Sequence, residues 1–353
     1  MKRGRKIVEK SIGNASDAAR RGRRRENNMK RMLIAVLVLT CMSLWVQPSR
    51  AQTITLRLGH VGFPGSLFAI TTDEYAKRAN AALAGKVEIK VFHSSQLGSD
   101  EQMMRGIKVG APEMFLPSTV MSTAEQKFGV FEMPYIIVSR VHMKKVTENK
   151  QVQSTLFGGL PAKGLRILGV WENGFRHITN NVRPIVRPDD LKGIKLRVPG
   201  GVWRVKMFKA YGANPSPMPL AEVYSALQSG VMDGQENPFP QIASAKFQEV
   251  QKFLSLSGHV YTPAYLVVGE EAWAKLPKDV QGTLSKLAWD VGDFARSEGE
   301  RLDKELMSKV APPMTANEVD KDAFIKASRA IYDDFGKEVP GGAELVKLVQ
   351  SLR

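Results

Sequence analysis

Apolar residues in this chain recur at two periods, and the switches between them outline a layered α/β protein. Ile54, Leu56 and Leu58 stand at alternate positions, which predicts a strand over 54–60. After the Gly62-Phe63-Pro64-Gly65 turn, Phe68, Thr72, Tyr75, Ala76 and Ala79 share one face of a helix expected over 68–82. Val87, Ile89 and Val91 alternate again, for a strand at 87–92. A short helix at 102–109 and a short buried strand at 114–116 complete a β-α-β-α-β order.

The pattern then recurs. Strands are expected at 165–171 and 175–179, a turn or short helix at 189–193, and a strand at 194–198. A helix at 202–211 has Val202, Val205, Met207 and Phe208 near one side, and another covers 221–229. Residues 233–238 read as a polar turn, and Pro238 suits the start of a helix at 239–247. Strands at 253–256 and 260–268 follow. Two such units predict two lobes.

The last third is mostly helical. Val280, Leu284, Leu287, Val291, Phe294, Leu302 and Leu306 mark one long amphipathic helix. Gly282, Gly292 and Gly299 lie inside it, each costing about 1 kcal/mol against alanine, so packing along the stripe must hold it. A helix spanning both lobes would supply that packing. Pro312-Pro313 end the region, and helices at 321–335 and 343–352 finish the chain. The expected division is residues 1–51 as a leader, 52–173 with 263–302 as lobe I, and 174–262 with 303–353 as lobe II.

Charge changes the picture at the N-terminus only. The net charge is +16, but residues 1–51 hold thirteen Lys/Arg against Glu9, Asp17 and Glu26. The leader therefore carries +10 and the body only +6, so nucleic acid is not needed as a partner. Lys30 and Arg31 precede an apolar run at 32–45, and Pro48-Ser49-Arg50-Ala51 puts small residues before Gln52. This is the layout of a secretory signal peptide, and the run is short for a membrane span. Met29 stands where such a peptide would begin, so residues 1–28 read as an upstream start. The one cysteine, Cys41, lies in the apolar run, which leaves the expected mature chain without disulfides, metal thiolates or cysteine nucleophiles.

The richest stretch for chemistry is 171–241. Arg197, in Lys195-Leu196-Arg197-Val198-Pro199, sits where a strand gives way to a helix, the place where open α/β sheets hold ligands. Its planar fork can bond both oxygens of a carboxylate; the bland alternative is a solvated strand arginine. Arg176, in Asn173-Gly174-Phe175-Arg176, offers a second guanidinium, or else a surface salt bridge. Asn237 can donate and accept at once, which suits a hydroxylated acid, or it caps the Pro238 helix. Trp171, Trp203 and Phe63 are candidate pocket walls, with the core as their other home. The five histidines show no metal-ligand spacing, and no nucleophile elbow, phosphate loop or dinucleotide fingerprint occurs.

Taken together, these motifs resemble the solute-binding proteins of tripartite ATP-independent periplasmic (TRAP) transporters, of the DctP type. The run from Pro217 to Gln228, Asp233-Gly234-Gln235-Glu236-Asn237-Pro238, Ser95-Gln96-Leu97-Gly98-Ser99-Asp100 and Glu132-Met133-Pro134-Tyr135 belong to the same resemblance. It covers nearly everything from Ile54 onward. It implies a periplasmic, non-enzymatic, monomeric receptor without cofactor. Two α/β lobes joined by crossing strands and braced by a long helix would close on a small organic acid, of the C4-dicarboxylate or sugar-acid class, and deliver it to membrane permease subunits. The carboxylate role falls on Arg197, with Arg176 assisting and Asn173 and Asn237 adding polar contacts. Ser118 stands where some sialic acid-binding members carry an acidic residue, which argues against sialic acid. A receptor presenting its ligand to a sensor kinase is the alternative, and a periplasmic lyase using His177 beside Arg176 a more distant one.

Overall fold

The computed structural model describes residues 20–26, 28–33 and 53–353. In the leader, residues 20–26 and 28–33 are helical and exposed. The apolar run beyond Leu33, Cys41 and the expected cleavage site at Ala51 lie outside the described residues. Among the described residues no helix is long and apolar enough to cross a membrane.

The body, 53–353, is built on two sheets. β1 (Ile54–Gly59), β2 (Val87–Phe92) and β3 (Met114–Phe115) run parallel. β4 (Leu165–Phe175) belongs to the same sheet, whereas β5 (His177–Asn180), β6 (Lys195–Val198), β7 (Asn214–Pro217), β8 (Gly234–Asn237) and β9 (Phe253–Leu256) form a second. The chain then returns to the first sheet as β10 (Tyr261–Gly269) and ends its strands in the second as β11 (Thr315–Glu318). The orders are β2-β1-β3-β10-β4 and β11-β9-β5-β8-β6-β7. Each sheet anchors one lobe, as the repeated sequence pattern predicts.

The crossings fix how the lobes are joined. Arg176 is the residue between β4 and β5, and its backbone N–H donates to the Val260 carbonyl (2.9 Å), on the return crossing into β10. The two crossings are thus hydrogen-bonded to each other. A helix over Lys278–Val310 rests on β4, on the helix Leu67–Ala82 and on the helix Phe239–Ser244 of the second lobe. Its internal glycines have a reason. A Cβ at Gly299 would lie 2.4 Å from Glu172 Oε1, and one at Gly292 would lie 3.0 Å from the Val170 carbonyl. They let the helix press against β4, whereas Gly282 faces open space.

Several expectations need correction. The predicted polar turn at 233–238 is strand β8, wholly buried between β5 and β6. Gln235 and Glu236 are satisfied by internal partners, so polarity did not mean exposure. The breaks predicted between 171 and 175 do not exist, because β4 runs unbroken through Phe175. The helix predicted at 321–335 is two, Lys321–Ala327 and Arg329–Glu338, interrupted at Ser328, whose hydroxyl donates to the Phe324 carbonyl (2.6 Å). In Val202–Ala210 the buried residues are Trp203, Arg204, Met207 and Phe208, while Val202 is exposed. Two further helices, Arg140–Glu148 and Lys150–Phe157, open on Ser139 and Asn149, side chains that accept from backbone N–H groups. They are short and carry few apolar residues for a pattern to find.

Gly282→Ala should raise the melting temperature by about 2 °C, from roughly 1 kcal/mol of helix propensity in a chain of this size. Gly299→Ala should lower it, since the new methyl meets a buried, hydrogen-bonded carboxylate and overpacking costs about 1–3 kcal/mol. Thermal denaturation of the two variants checks this; equal shifts would contradict the close approach.

Candidate functional site

Between the lobes lies a small space of about 30 Å³. The first lobe contributes Val61, Phe68, Asp100, Ser118, Thr119 and Asn173; the second contributes Arg197, Pro199, Leu220, Asn237 and Gln241; Arg176 enters from the crossing. The lobes are closed over it. A Cβ at Gly200, just past the end of β6, would lie 2.5 Å from Glu101 Oε1 at the start of the helix Asp100–Gly106.

Arg197 is buried (3 % exposed), and both Nε and Nη2 donate to the Met218 carbonyl, at 2.9 and 2.6 Å. That carbonyl fixes the plane of the guanidinium. Nη1 has no protein partner among the described residues, and Arg197 makes no ion pair with any of them. Burial pushes its pKa down to about 10, aided by the nearby Arg176 charge and opposed by Glu236 and Asp100. It stays protonated at neutral pH. A buried cation without a counter-ion is expensive, and an anionic ligand would relieve it.

Arg176 is equally buried but paired. Its Nε donates to Glu236 Oε2 (2.5 Å), and Nη2 donates to Glu236 Oε1 (3.0 Å) and to the Glu236 carbonyl (2.5 Å). Arg204 Nη1 donates to the same Oε2 (2.6 Å), and its Nε and Nη2 donate to Glu132 Oε2 (2.9 and 2.5 Å). Burial alone would raise the Glu236 carboxyl, but the two guanidinium groups override it and hold the group well below the usual carboxylate range. Burial dominates at Glu132, whose pKa is raised. His259, kept neutral by burial, donates from Nε2 to Glu236 Oε2 (3.2 Å). Arg176 is therefore a structural residue that still shows its unused Nη1 edge to the cavity.

The cavity is also where unsatisfied oxygens collect. Asp100 Oδ1, Thr119 Oγ1, Asn173 Oδ1 and Gln241 Oε1 are sealed from solvent without hydrogen-bond partners, and all four residues line it. Asn173 is held by its Nδ2, which donates to Ser118 Oγ (3.4 Å) and Thr262 Oγ1 (3.2 Å). Those hydroxyls spend their own protons on the Pro263 and Gly174 carbonyls, so the amide orientation is fixed. A longer relay orients Asn237. Gln251 Nε2 donates to the Val250 carbonyl, and Gln251 Oε1 accepts from Thr179 (2.9 Å). Thr179 Oγ1 accepts from Gln235 Nε2 (2.9 Å), and Gln235 Oε1 accepts from Asn237 Nδ2 (2.6 Å). Asn237 is left with its carbonyl oxygen as the free end. Asn173 and Asn237 thus present acceptors.

The structure brings Arg197, Arg176, Asn173, Asn237 and Ser118 together, but it corrects the aromatic walls. Trp171 is core, its Nε1 donating to the Ala288 carbonyl of the long helix (2.7 Å). Trp203 packs edge-on against Phe335 and beneath the Lys206 ammonium. Phe63 is half-buried away from the cavity, and Val61 and Phe68 take the apolar wall instead. Asn237 does not cap a helix: it ends β8, opposite His177. His177 lies outside the site, stacked on Phe239 and pushed down to about 3 by burial.

Sequence reasoning did not single out Asp100, Thr119 or Gln241. Asp100 closes the quoted Ser95–Asp100 motif, and Gln241 lies four residues past Asn237 in the helix Phe239–Ser244. Arg204 had a clearer signal, a charge three and four residues before buried Met207 and Phe208. A larger cavity of about 1030 Å³ lies on the other side of the crossings, lined by Phe175, His177, Leu256 and the C-terminal helices. None of the unsatisfied buried oxygens borders it. The smaller space therefore has the stronger claim as a site for a polar ligand.

The family described as bacterial extracellular solute-binding protein, family 7 (DctP), matches residues 58–338. The 2,3-diketo-L-gulonate-binding periplasmic protein of Escherichia coli K12 is 34 % identical over 273 residues, 76 % of this chain and 83 % of that protein. The C4-dicarboxylate-binding periplasmic protein of Rhodobacter capsulatus is 30 % identical over 332 residues, 91 % of this chain and 98 % of that one. Among solved structures, the sugar acid binding protein of Advenella mimigardefordensis in complex with galactonate superposes with a TM-score of 0.81 at 30 % identity, covering 85 % of this chain and 98 % of that one.

Asp100 gives the site a signature in pH. Burial raises its pKa from 3.8 to about 7, with Glu101 adding to the rise and Arg197 opposing it. The folded state holds this proton between those values while the unfolded chain releases it, so the Asp100 contribution to stability falls as pH rises from about 4 to 7. Asp100→Asn should therefore gain stability over the wild type progressively across that window, with the difference level above it. Urea midpoints at pH 4.5, 6 and 8 check this; a constant difference would refute it.

Proposed function

The chain belongs to family 7 of the bacterial extracellular solute-binding proteins, and from that membership we propose that it captures a small organic acid in the interlobe cavity and hands it to TRAP-type permease subunits. One observation carries the proposal: Arg197, a buried guanidinium held by a backbone carbonyl, has no carboxylate partner among the described residues at the meeting surface of two lobes. The Nη1 edges of Arg197 and Arg176 are the donors for the ligand carboxylate. Asn237, Asn173 and Ser118 hold its polar remainder, and Val61, Phe68 and Leu220 bound the apolar side.

Mechanistically, an open form admits the ligand, and closure brings Arg197 of the second lobe toward Asp100, Thr119 and Asn173 of the first. Closure removes water, which strengthens the guanidinium–carboxylate pairing. The crossing strands bend while the Arg176–Val260 bond keeps them together. The ligand leaves unchanged, and a dissociation constant near micromolar, about −8 kcal/mol, allows both capture and release. The protein acts in the periplasm as a monomer, with the basic leader serving as its signal peptide.

Arg197→Ala should weaken binding of the preferred acid by about 2–5 kcal/mol, at least thirtyfold, with the melting temperature retained. Arg197→Lys should also weaken it, because an ammonium cannot keep the Met218 carbonyl and a ligand oxygen on one plane. Calorimetric titration checks this. Wild-type affinity in Arg197→Ala would remove the proposal.

A further inference from the structure

The larger cavity behind the crossings plays no part in the reading above, and its walls suit a different kind of molecule. Its volume of about 1030 Å³ is that of a pocket for a small organic ligand. Tyr135, Phe175, His177 and Tyr332 line it with rings, and burial keeps the His177 imidazole neutral. Lys321, Arg329 and Lys347 also line it; all three are exposed and make no ion pair with any described residue. Of the lining carboxylates, Asp303 is taken by Arg140 (2.6 Å), which leaves Asp333 against that positive charge. A ring-lined interior under a rim of surplus positive charge fits an aromatic body that carries an anionic group.

The position of the cavity gives its occupant a mechanical consequence. One crossing borders both spaces: Arg176 lines the small one, and its neighbours Phe175 and His177 line the large one, as alternate positions of an extended chain do. The far walls come from both lobes. Pro134, Tyr135 and Val138 belong to the first. The helix Arg329–Glu338 packs on the second, through Phe335 on Trp203. Lobes that turn about the crossings to part at the small space approach each other at the large one. The large cavity is therefore roomy in the form in which the small one is shut. We propose that it is a second ligand site, for an organic anion with an aromatic body, and that its occupation wedges the lobes in the shut form. The site stands on its own geometry; only its effect on the solute rests on the solute-binding reading above. By linkage, the second ligand and the solute would each tighten the binding of the other.

The probe for the test is 1-anilinonaphthalene-8-sulfonate, an aromatic anion whose fluorescence rises on binding, used without any solute. The wild type should take it up saturably, at one site per chain. Lys321→Glu with Arg329→Glu should weaken that binding at least about tenfold. Both side chains are exposed, so the melting temperature should be retained. Arg197→Ala, which alters the small space only, should bind the probe as the wild type does. For the hinge, residues 53–353 contain no cysteine, so Arg105→Cys and Lys209→Cys can carry a pair of spin labels. These exposed residues end the helices Asp100–Gly106 and Val202–Ala210, which begin at the mouth of the small space. Saturating probe should shift the inter-label distances toward the short form, raising the shut-to-open ratio at least about fivefold. Absence of saturable binding, or unchanged affinity after the double charge reversal, would overturn the site. Loss of probe binding in Arg197→Ala would do the same, by placing the probe in the small space. Unchanged distances at saturation would overturn the wedge. Since no solute is present, each of these failures would leave the organic-acid receptor standing.

Discussion

The molecule is organised around the carboxylate of Glu236. It lies on β8 at the middle of the second sheet and takes hydrogen bonds from Arg176 on the crossing, Arg204 on the helix Val202–Ala210 and His259 on the return crossing. Arg204 carries the link onward to Glu132 of the first lobe. Two acids and two arginines balance one another in a place without water. Such a network gives little net stability against an apolar core of the same volume, yet removing one member leaves a buried charge exposed to nothing. Its yield is positional: the crossing, the central strand and both lobes are held in one registry.

That balance explains why two neighbouring arginines of similar appearance behave differently. Arg176 and Arg204 have their carboxylates built in. Arg197 has only a carbonyl, and its positive charge is left over. A site for an anion is made by placing a cation where the protein does not neutralise it, and the neighbouring neutral network prevents Glu236 from doing so. Asp100, itself inclined to hold its proton, completes a cavity with net attraction for one negative charge.

The sequence carried the large features well. The alternation of Ile54, Leu56 and Leu58 and the stripe from Val280 to Leu306 gave the first strand and the long helix because each buries one face only. It failed where polar residues are buried. Gln235 and Glu236 looked like part of a turn because their partners, Thr179, Arg204 and His259, lie far away in the chain. Trp171 and Trp203 looked like pocket walls because residue type does not reveal which side of a strand or helix meets the cavity. Arg197 was legible from its strand-end setting. Its lack of a counter-ion was not, since that depends on every acid that the fold directs elsewhere.

The contact between Arg204 and Glu132 also bears on how tightly any solute is held. It joins residues of the two lobes, so any parting of them at this point would expose a separated cation and anion to water. The free energy of that exchange sets what fraction of empty molecules rests ajar, and apparent affinity scales with the population competent to bind. Evolution could therefore retune retention and release through residues that never meet the cargo, leaving the recognition chemistry untouched.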